Sequence, residues 1–184
     1  LMIHDGLLDP YGDKHMGLCA ELCAAKYGFT RELQDEFAAA SYDRANAAIK
    51  SGAFAGEIVT VEIPSKKGPQ LLATDEEPGR GDTAKMRTLR PAFDPKNGTI
   101  TAGNASGIND GAAALVLASA DAVKKHGFTP LARIVSYGGA AQEPEWFTTA
   151  PIPAMQKALA RSGWKASDVD LWEINEAFAV VTMA

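Results

Sequence analysis

Four stretches of the 184-residue chain carry side chains whose types and spacing could do chemistry. In TAGNASGINDGAA, 101–113, Gly103, Gly107 and Gly111 alternate with Asn104, Ser106, Asn109 and Asp110. Such a stretch lets backbone approach a ligand closely and offers N–H and hydroxyl donors. Its plainer reading is a tight turn. It matches neither a GxGxxG dinucleotide fingerprint nor a P-loop, since no GK[ST] follows, so a nucleotide bound by either device is not expected. In WEINEAFA, Asn175 stands between an apolar run and a helical pattern, a place where ligands bind in open α/β sheets. An amide there can hold a water or polarise a carbonyl oxygen, or simply cap the helix. His15 follows the turn-rich DPYGD segment and can reach a ligand from a helix start, although a lone histidine is more often an ordinary surface or core residue. Finally, Arg80, Lys85, Arg87, Arg90 and Lys96 face only Asp82 and Asp94 within 80–96, a local charge of +3. That suits either an anion site for a phosphate-bearing ligand or a solvated loop.

Other chemistry is missing. No nucleophile elbow, HExxH, paired CxxC or triad arrangement occurs, and there are three histidines in all. Cys19 and Cys23 lie four apart on one face of a helical pattern, without His partners at ligand spacing. They read as buried small hydrophobes, neither metal ligands nor nucleophiles. No metal is expected.

The elements that must position these residues divide the chain in two. Residues 16–27 are apolar around most of a helical circumference and end at Gly28; a second helix, capped by Thr30, carries Leu33, Phe37, Ser41, Ala45, Ala48 and Ile49 on one face up to Gly52. EIVTVEI, 57–63, alternates as a half-buried strand does. From Pro64 to Gly98 periodicity disappears, which suits a functional loop. Beyond the Gly-rich stretch the pattern changes. Strands are expected at 113–119, 131–139 and 169–174, with helices at 120–126, from Pro151 to Gly163, and from an Asn175 N-cap onward. That alternation specifies an α/β fold with a largely parallel sheet, preceded by a helix-rich unit.

Composition narrows the function classes. The chain is 46% hydrophobic and 22% charged with net charge −5, so it offers no overall basic field for nucleic acid or anionic lipid. No apolar run approaches the roughly 18 residues of a membrane span, and the first residues do not form a signal peptide. A soluble, cytoplasmic protein is expected. The absence of an initiator Met and the end inside AFAVVTMA suggest an internal fragment.

Taken together, GDKHMG, RPAF, NGTITAGNASGINDGAAALVLAS, PIPA and WEINEAFA resemble the thiolases, in particular their acetyl-CoA acetyltransferase branch, in order and spacing across essentially the whole chain. The resemblance implies a thiolase-like fold of two βαβαβαββ halves with an inserted helix-rich loop domain. Residues 1–108 would be most of the loop domain, 109–130 the closing strand and helix of the first half, and 131–184 the start of the second half. It also implies acyl transfer through a covalent acyl-cysteine, by thiolysis of 3-ketoacyl-CoA or Claisen condensation of acyl-CoA units. Coenzyme A is then substrate and product, no separate cofactor is needed, and the whole protein is a homodimer or homotetramer serving fatty acid metabolism.

Carried over by position, Asn175 resembles the asparagine that holds an oxyanion-hole water. Ala102, Ser106, Gly107 and Ile108 resemble the pantetheine-binding loop, and His15 and Met16 the lining of a short-chain acyl pocket. Phe93, Phe147 and Phe178 would close that pocket, and Arg80 would lie near the adenine ring. The family's nucleophilic Cys would precede Leu1, and its His and second Cys would follow Ala184; Cys19 and Cys23 match neither. The isolated chain is therefore expected to be inactive. A noncatalytic acyl-CoA-binding module of the same fold is the alternative.

Overall fold

A computed structural model describes all residues, 1–184. Its helices follow local signals. Helix α1, Met16–Tyr27, starts at His15, whose side chain accepts the Gly17 N–H, and ends on Gly28 at φ 69°. Helix α2, Arg31–Ser51, is capped by the Thr30 hydroxyl and ends on Gly52 at φ 70°. Both end residues occupy the left-handed region, where a side chain would be strained.

α1 is the centre of the core. Gly17, Cys19, Ala20, Cys23 and Ala24 are buried on it, and Ala20, Cys23 and Ala24 pack with Ile100, Phe178 and Val180. Small side chains on α1 let three segments distant in sequence meet at one helix: Ile100, the C-terminal helix, and the 3₁₀ segment Pro144–Thr149. On α2 the buried residues are Gln34, Asp35 and Ala38, while Leu33 is exposed. The core-facing stripe is thus turned from the expected apolar one and carries two polar side chains, both of which find partners across the helix boundary.

Strands β1, Val61–Ile63, and β2, Gln70–Leu72, form an antiparallel hairpin with Val61 opposite Leu72 and Ile63 opposite Gln70. The expected strand at 57–63 is thereby shortened to three residues, and it is exposed where half-burial was expected. The 64–98 region is not structureless. It also holds the short helix α3, Glu77–Arg80, and a 3₁₀ turn at Met86–Thr88.

In the second part, α4, Ala120–His126, and α5, Pro151–Ser162, occupy their expected places, ending on Gly127 and Gly163 in the left-handed region. The strands do not form. Residues 113–119, 132–139 and 171–174 make no ladder, and Leu115, Val116, Leu131 and Leu171 are at least 84% exposed. A strand's hydrogen bonds come from its neighbours, and no neighbouring strand of this chain lies beside these runs. The 135–139 run is held instead by α5. Ser136 Oγ donates to the Ala158 carbonyl at 2.7 Å and Arg161 to the Tyr137 carbonyl at 2.7 Å, while a Cβ on Gly138 would collide with the α5 backbone. The last helix, α6, Ala179–Met183, starts later than expected, with Phe178 at its N-cap position. No helix is long and apolar enough to cross a membrane.

Candidate functional site

The site grows from the start of α1. His15 Nδ1 accepts the Gly17 N–H at 3.0 Å, which leaves the neutral ring's proton on Nε2. The imidazole lies 4.7 Å from the Phe93 ring at 30°, and Phe93 meets Phe178 edge-on at 6.3 Å and 81°. Gly17 permits this, because any Cβ there would overlap the Phe93 ring. Met16 and Phe147 pack on the same core. Five of the expected site residues, His15, Met16, Phe93, Phe147 and Phe178, are therefore gathered into one aromatic and apolar wall.

The 144–149 segment that carries Phe147 is tied down at both ends of α1. Lys14 pairs with Glu145, whose hydrogen bond raises the lysine pKa above its ordinary value, and Lys26 lies 4.5 Å over the Trp146 ring. Upstream, buried Asp9 accepts the Tyr11 and Gly12 N–H groups, fixing the turn that delivers His15.

The second wall is the Gly-rich loop. Glu21 on α1 accepts the Thr99 and Ile100 N–H groups and the Thr99 hydroxyl, each at 2.9 Å, and so anchors the entry to the loop. Asn104 then turns inward. Its Oδ1 accepts the Thr101 N–H at 2.8 Å, and its Nδ2 donates to Asp35 and to the Thr99 carbonyl, both at 3.0 Å. Beyond it the chain runs antiparallel to the C-terminal segment: Ala179 N–H donates to the Asn104 carbonyl at 2.9 Å, and Ser106 N–H to the Ala177 carbonyl at 3.1 Å. Ala102, Ser106, Gly107 and Ile108 are left exposed, and the Ser106 hydroxyl has no partner in the chain.

Between this loop, α2 and α3 lies a groove of about 350 Å³, reached by Ser106, Asn104, Tyr42, Glu77 and Glu176. Its carboxylates suit neutral amide and hydroxyl groups and repel phosphate.

Two expected positions need correction. Asn175 does not cap a helix: it is exposed, precedes α6 by four residues and makes no hydrogen bond within the chain. It reaches the site through its segment, because Ala177 two residues on is locked opposite Ser106. The +3 stretch is largely neutralised by the chain's own acids. Arg80 lies 3.1 Å from Glu76 and 4.0 Å from Glu77, Lys85 lies 2.8 Å from Asp82, and Arg87 lies 4.0 Å from Glu36, leaving Arg90 and Lys96 without partners. The Arg80 pairs are exposed and of low strength, so an anion could compete for it.

Burial pushes the Cys19 and Cys23 thiols up, and Cys23 Sγ lies 3.8 Å from the Val180 carbonyl. Neither thiol is activated or accessible, as their spacing within α1 implied. No three His, Cys, Asp or Glu side chains come together in a metal-binding group.

Sequence reading missed the residues behind the loop. Asn104 looked like one more donor of the ligand wall but is a buried latch, and Glu21, Arg31 and Asp35 carried no assigned role. The available signal was the adjacent Gln34-Asp35 pair on the face of α2 that Ala38 also occupies.

Comparison with known proteins places this geometry. Residues 1–121 match the family model described as "Thiolase, N-terminal domain", and residues 128–184 match "Thiolase, C-terminal domain". Among curated relatives, acetyl-CoA acetyltransferase 2 of Arabidopsis thaliana is 54% identical over 100% of this chain and 46% of its own length. The acetyl-CoA acetyltransferase of Thiocystis violacea is 53% identical over 100% of this chain and 47% of its own. Among solved structures, the Bacillus anthracis acetyl-CoA acetyltransferase superposes with TM-score 0.89 at 43% identity, covering 96% of this chain and 45% of that one. Human mitochondrial 3-ketoacyl-CoA thiolase gives TM-score 0.89 at 42% identity, again over 96% and 45%. The chain thus spans about half the length of the curated relatives it matches, and its fold is the corresponding part of the thiolase-like α/β fold. With both family models matched in order along nearly all of its residues, the chain belongs to the thiolase family.

Proposed function

We propose that the protein carrying this chain is an acetyl-CoA C-acetyltransferase: it cleaves 3-ketoacyl-CoA with free CoA, or joins acyl-CoA units in reverse, through an acyl-cysteine. The observation that carries this reading is the junction of the two walls, where the Ser106 loop pairs with the 177–179 segment beside the His15, Phe93 and Phe178 rings. Pantetheine is a long chain with two amides and an apolar body. The exposed donors of the Ser106 loop, with an apolar aromatic cluster on the segment it pairs with, supply both kinds of contact.

Each residue has a physical task. His15 offers Nε2–H to a polar atom of the acyl-thioester while Met16, Phe93, Phe147 and Phe178 exclude water from its apolar part. Asn175, unengaged by its own chain, is free to hold a water against the thioester oxygen as negative charge develops there. Exposed Arg80 can exchange Glu76 for a phosphate of the nucleotide end. Burial raises both thiols of this chain, which disfavours either as the acyl-accepting thiolate; on the family resemblance, that thiolate and the base that moves the α-proton belong to the rest of the full-length protein. In thiolysis that thiolate attacks the 3-keto carbon, the C2–C3 bond breaks, the departing acetyl-CoA carbanion takes a proton, and the CoA thiol then receives the acyl group. We also propose a homodimer or homotetramer working in the cytoplasm in fatty acid metabolism, on the family resemblance alone.

The test is CoA-dependent loss of acetoacetyl-CoA with the full-length protein, beside CoA titration of the same sample. Turnover supports the assignment. Binding without turnover selects the noncatalytic module, and absence of CoA binding overturns both.

A further inference from the structure

Outside the two walls, Asp35 is a buried carboxylate with both oxygens hydrogen-bonded. It is 3% exposed on α2, and its two carboxylate oxygens are divided between two elements. Oδ2 accepts Arg31 Nε at 2.8 Å, and Oδ1 accepts Asn104 Nδ2 at 3.0 Å. Arg31 also donates from Nη1 to the Leu89 carbonyl at 3.0 Å and from Nη2 to the Met86 carbonyl at 2.6 Å. The pair therefore braces the 86–89 turn and the Gly-rich loop on one helix.

From Asn104 the connection runs onward by backbone. Its carbonyl accepts the Ala179 N–H, and two residues later Ser106 donates to Ala177. Displacement of the Asn104 side chain would shift both hydrogen bonds that fix Ser106 against the segment bearing Asn175. Gly103 leaves no slack, since a Cβ there would stand 3.0 Å from Leu89 and 3.1 Å from Met86. A buried carboxylate is costly unless fully paired, and here its pairing includes the side chain of Asn104 in the Gly-rich loop.

We propose that Asp35 is a positioning residue which, acting through Asn104, fixes the Gly-rich loop against residues 177–179 and so sets where Ser106 and Asn175 meet an acyl-CoA. The consequence for acyl-CoA rests on the function proposed above; the effect on the loop does not.

The test compares Asp35→Asn and Asn104→Ala with wild type in the full-length protein, using Asp43→Ala on the exposed side of α2 as a control. Asn104→Ala leaves the Arg31–Asp35 pair intact while removing all three Asn104 side-chain bonds, to Asp35, Thr101 and Thr99, so it tests the whole latch even if Asp35→Asn fails to fold. Two readouts are taken: amide hydrogen exchange at Ser106 and Ala179, and kcat and KM for CoA. The expected result is exchange at both amides at least about 10-fold faster and KM for CoA raised about 10-fold, with kcat changed much less, from a contact whose loss costs on the order of one hydrogen bond to a charged group. The control should match wild type. Unchanged exchange at Ser106 and Ala179 overturns the proposal, and so does faster exchange with an unaltered KM. If wild type shows no CoA dependence at all, the functional reading falls, and the exchange data alone then decide whether Asp35 positions the loop.

Discussion

The Ser106 N–H donates to the Ala177 carbonyl at 3.1 Å, joining the loop that offers a hydroxyl to the segment that offers the Asn175 amide. Seventy-one positions separate them in sequence by their numbers, yet one bond and its neighbour from Ala179 to Asn104 fix their relative placement. Asn175 itself spends nothing on structure, being exposed and free of hydrogen bonds within the chain. Asn175→Ala should therefore leave thermal stability within about 0.5 kcal/mol, as for surface substitutions away from special features. In the full-length protein it should lower kcat very roughly 10- to 1000-fold, as for loss of one oxyanion-hole element. Equal kcat in wild type and variant would remove Asn175 from the mechanism.

Ser106 separates in the same way into backbone and side chain. Its N–H belongs to the junction and survives in Ser106→Ala; its hydroxyl does not. The variant should raise KM for CoA by roughly 2- to 10-fold, the equivalent of about 0.5–1.5 kcal/mol for one neutral hydrogen bond, with kcat little changed. Steady-state kinetics at varied CoA concentration checks this, and an unchanged KM would mean that the hydroxyl points away from the ligand.

Gly17 is required by packing, since its backbone is the floor on which Phe93 lies between His15 and Phe178. Gly17→Ala must push the Phe93 ring off His15 or shift α1. Overpacking of this kind typically costs about 1–3 kcal/mol, even though alanine is the better helix former. Urea denaturation should show a lower midpoint than wild type, and Gly17→Ala combined with Phe93→Ala should recover part of the loss contributed by the clash. An unaltered midpoint in the single variant would show that the wall is not tightly packed.

Local information explains which parts of the fold could be read from the sequence. Helix ends are set by neighbours in the chain, so Thr30 and the glycines at 28, 52, 127 and 163 marked α1, α2, α4 and α5 directly. Strands depend on partners, and the apolar runs at 113–119 and 131–139 satisfy the pattern of a buried strand without any ladder to join. Asn175 illustrates a related limit: it is a good N-cap residue beside a helical pattern, but the Ala105–Phe178 bridge holds the backbone extended until Phe178 and delays the helix. The site's aromatic wall followed from resemblance, whereas its support by Glu21 and Asp35 was hidden because a charged residue on a helix normally reads as solvent-facing.

The buried thiols give a prediction about pH. Burial, the largest influence on each, favours the neutral form and raises Cys19 and Cys23 above the ordinary thiol range; the Asp9 charge adds to the effect at Cys19. The folded chain therefore keeps its thiol protons at a pH where the unfolded chain, with thiol pKa near about 8.5, releases them. Stability from this source is fully present below that value and falls as pH rises through it, because deprotonation then favours the unfolded state. The midpoint of urea unfolding should accordingly drop between pH 7.5 and about pH 10 more steeply in wild type than in a Cys19→Ala/Cys23→Ala variant. Alkylation by iodoacetamide at about pH 8 should be at least 10-fold slower in the native protein than in urea, since both access and thiolate fraction are reduced. Equal alkylation rates would show that α1 opens readily and that the core around Ala20, Ile100 and Val180 is not the rigid base on which both walls of the site stand.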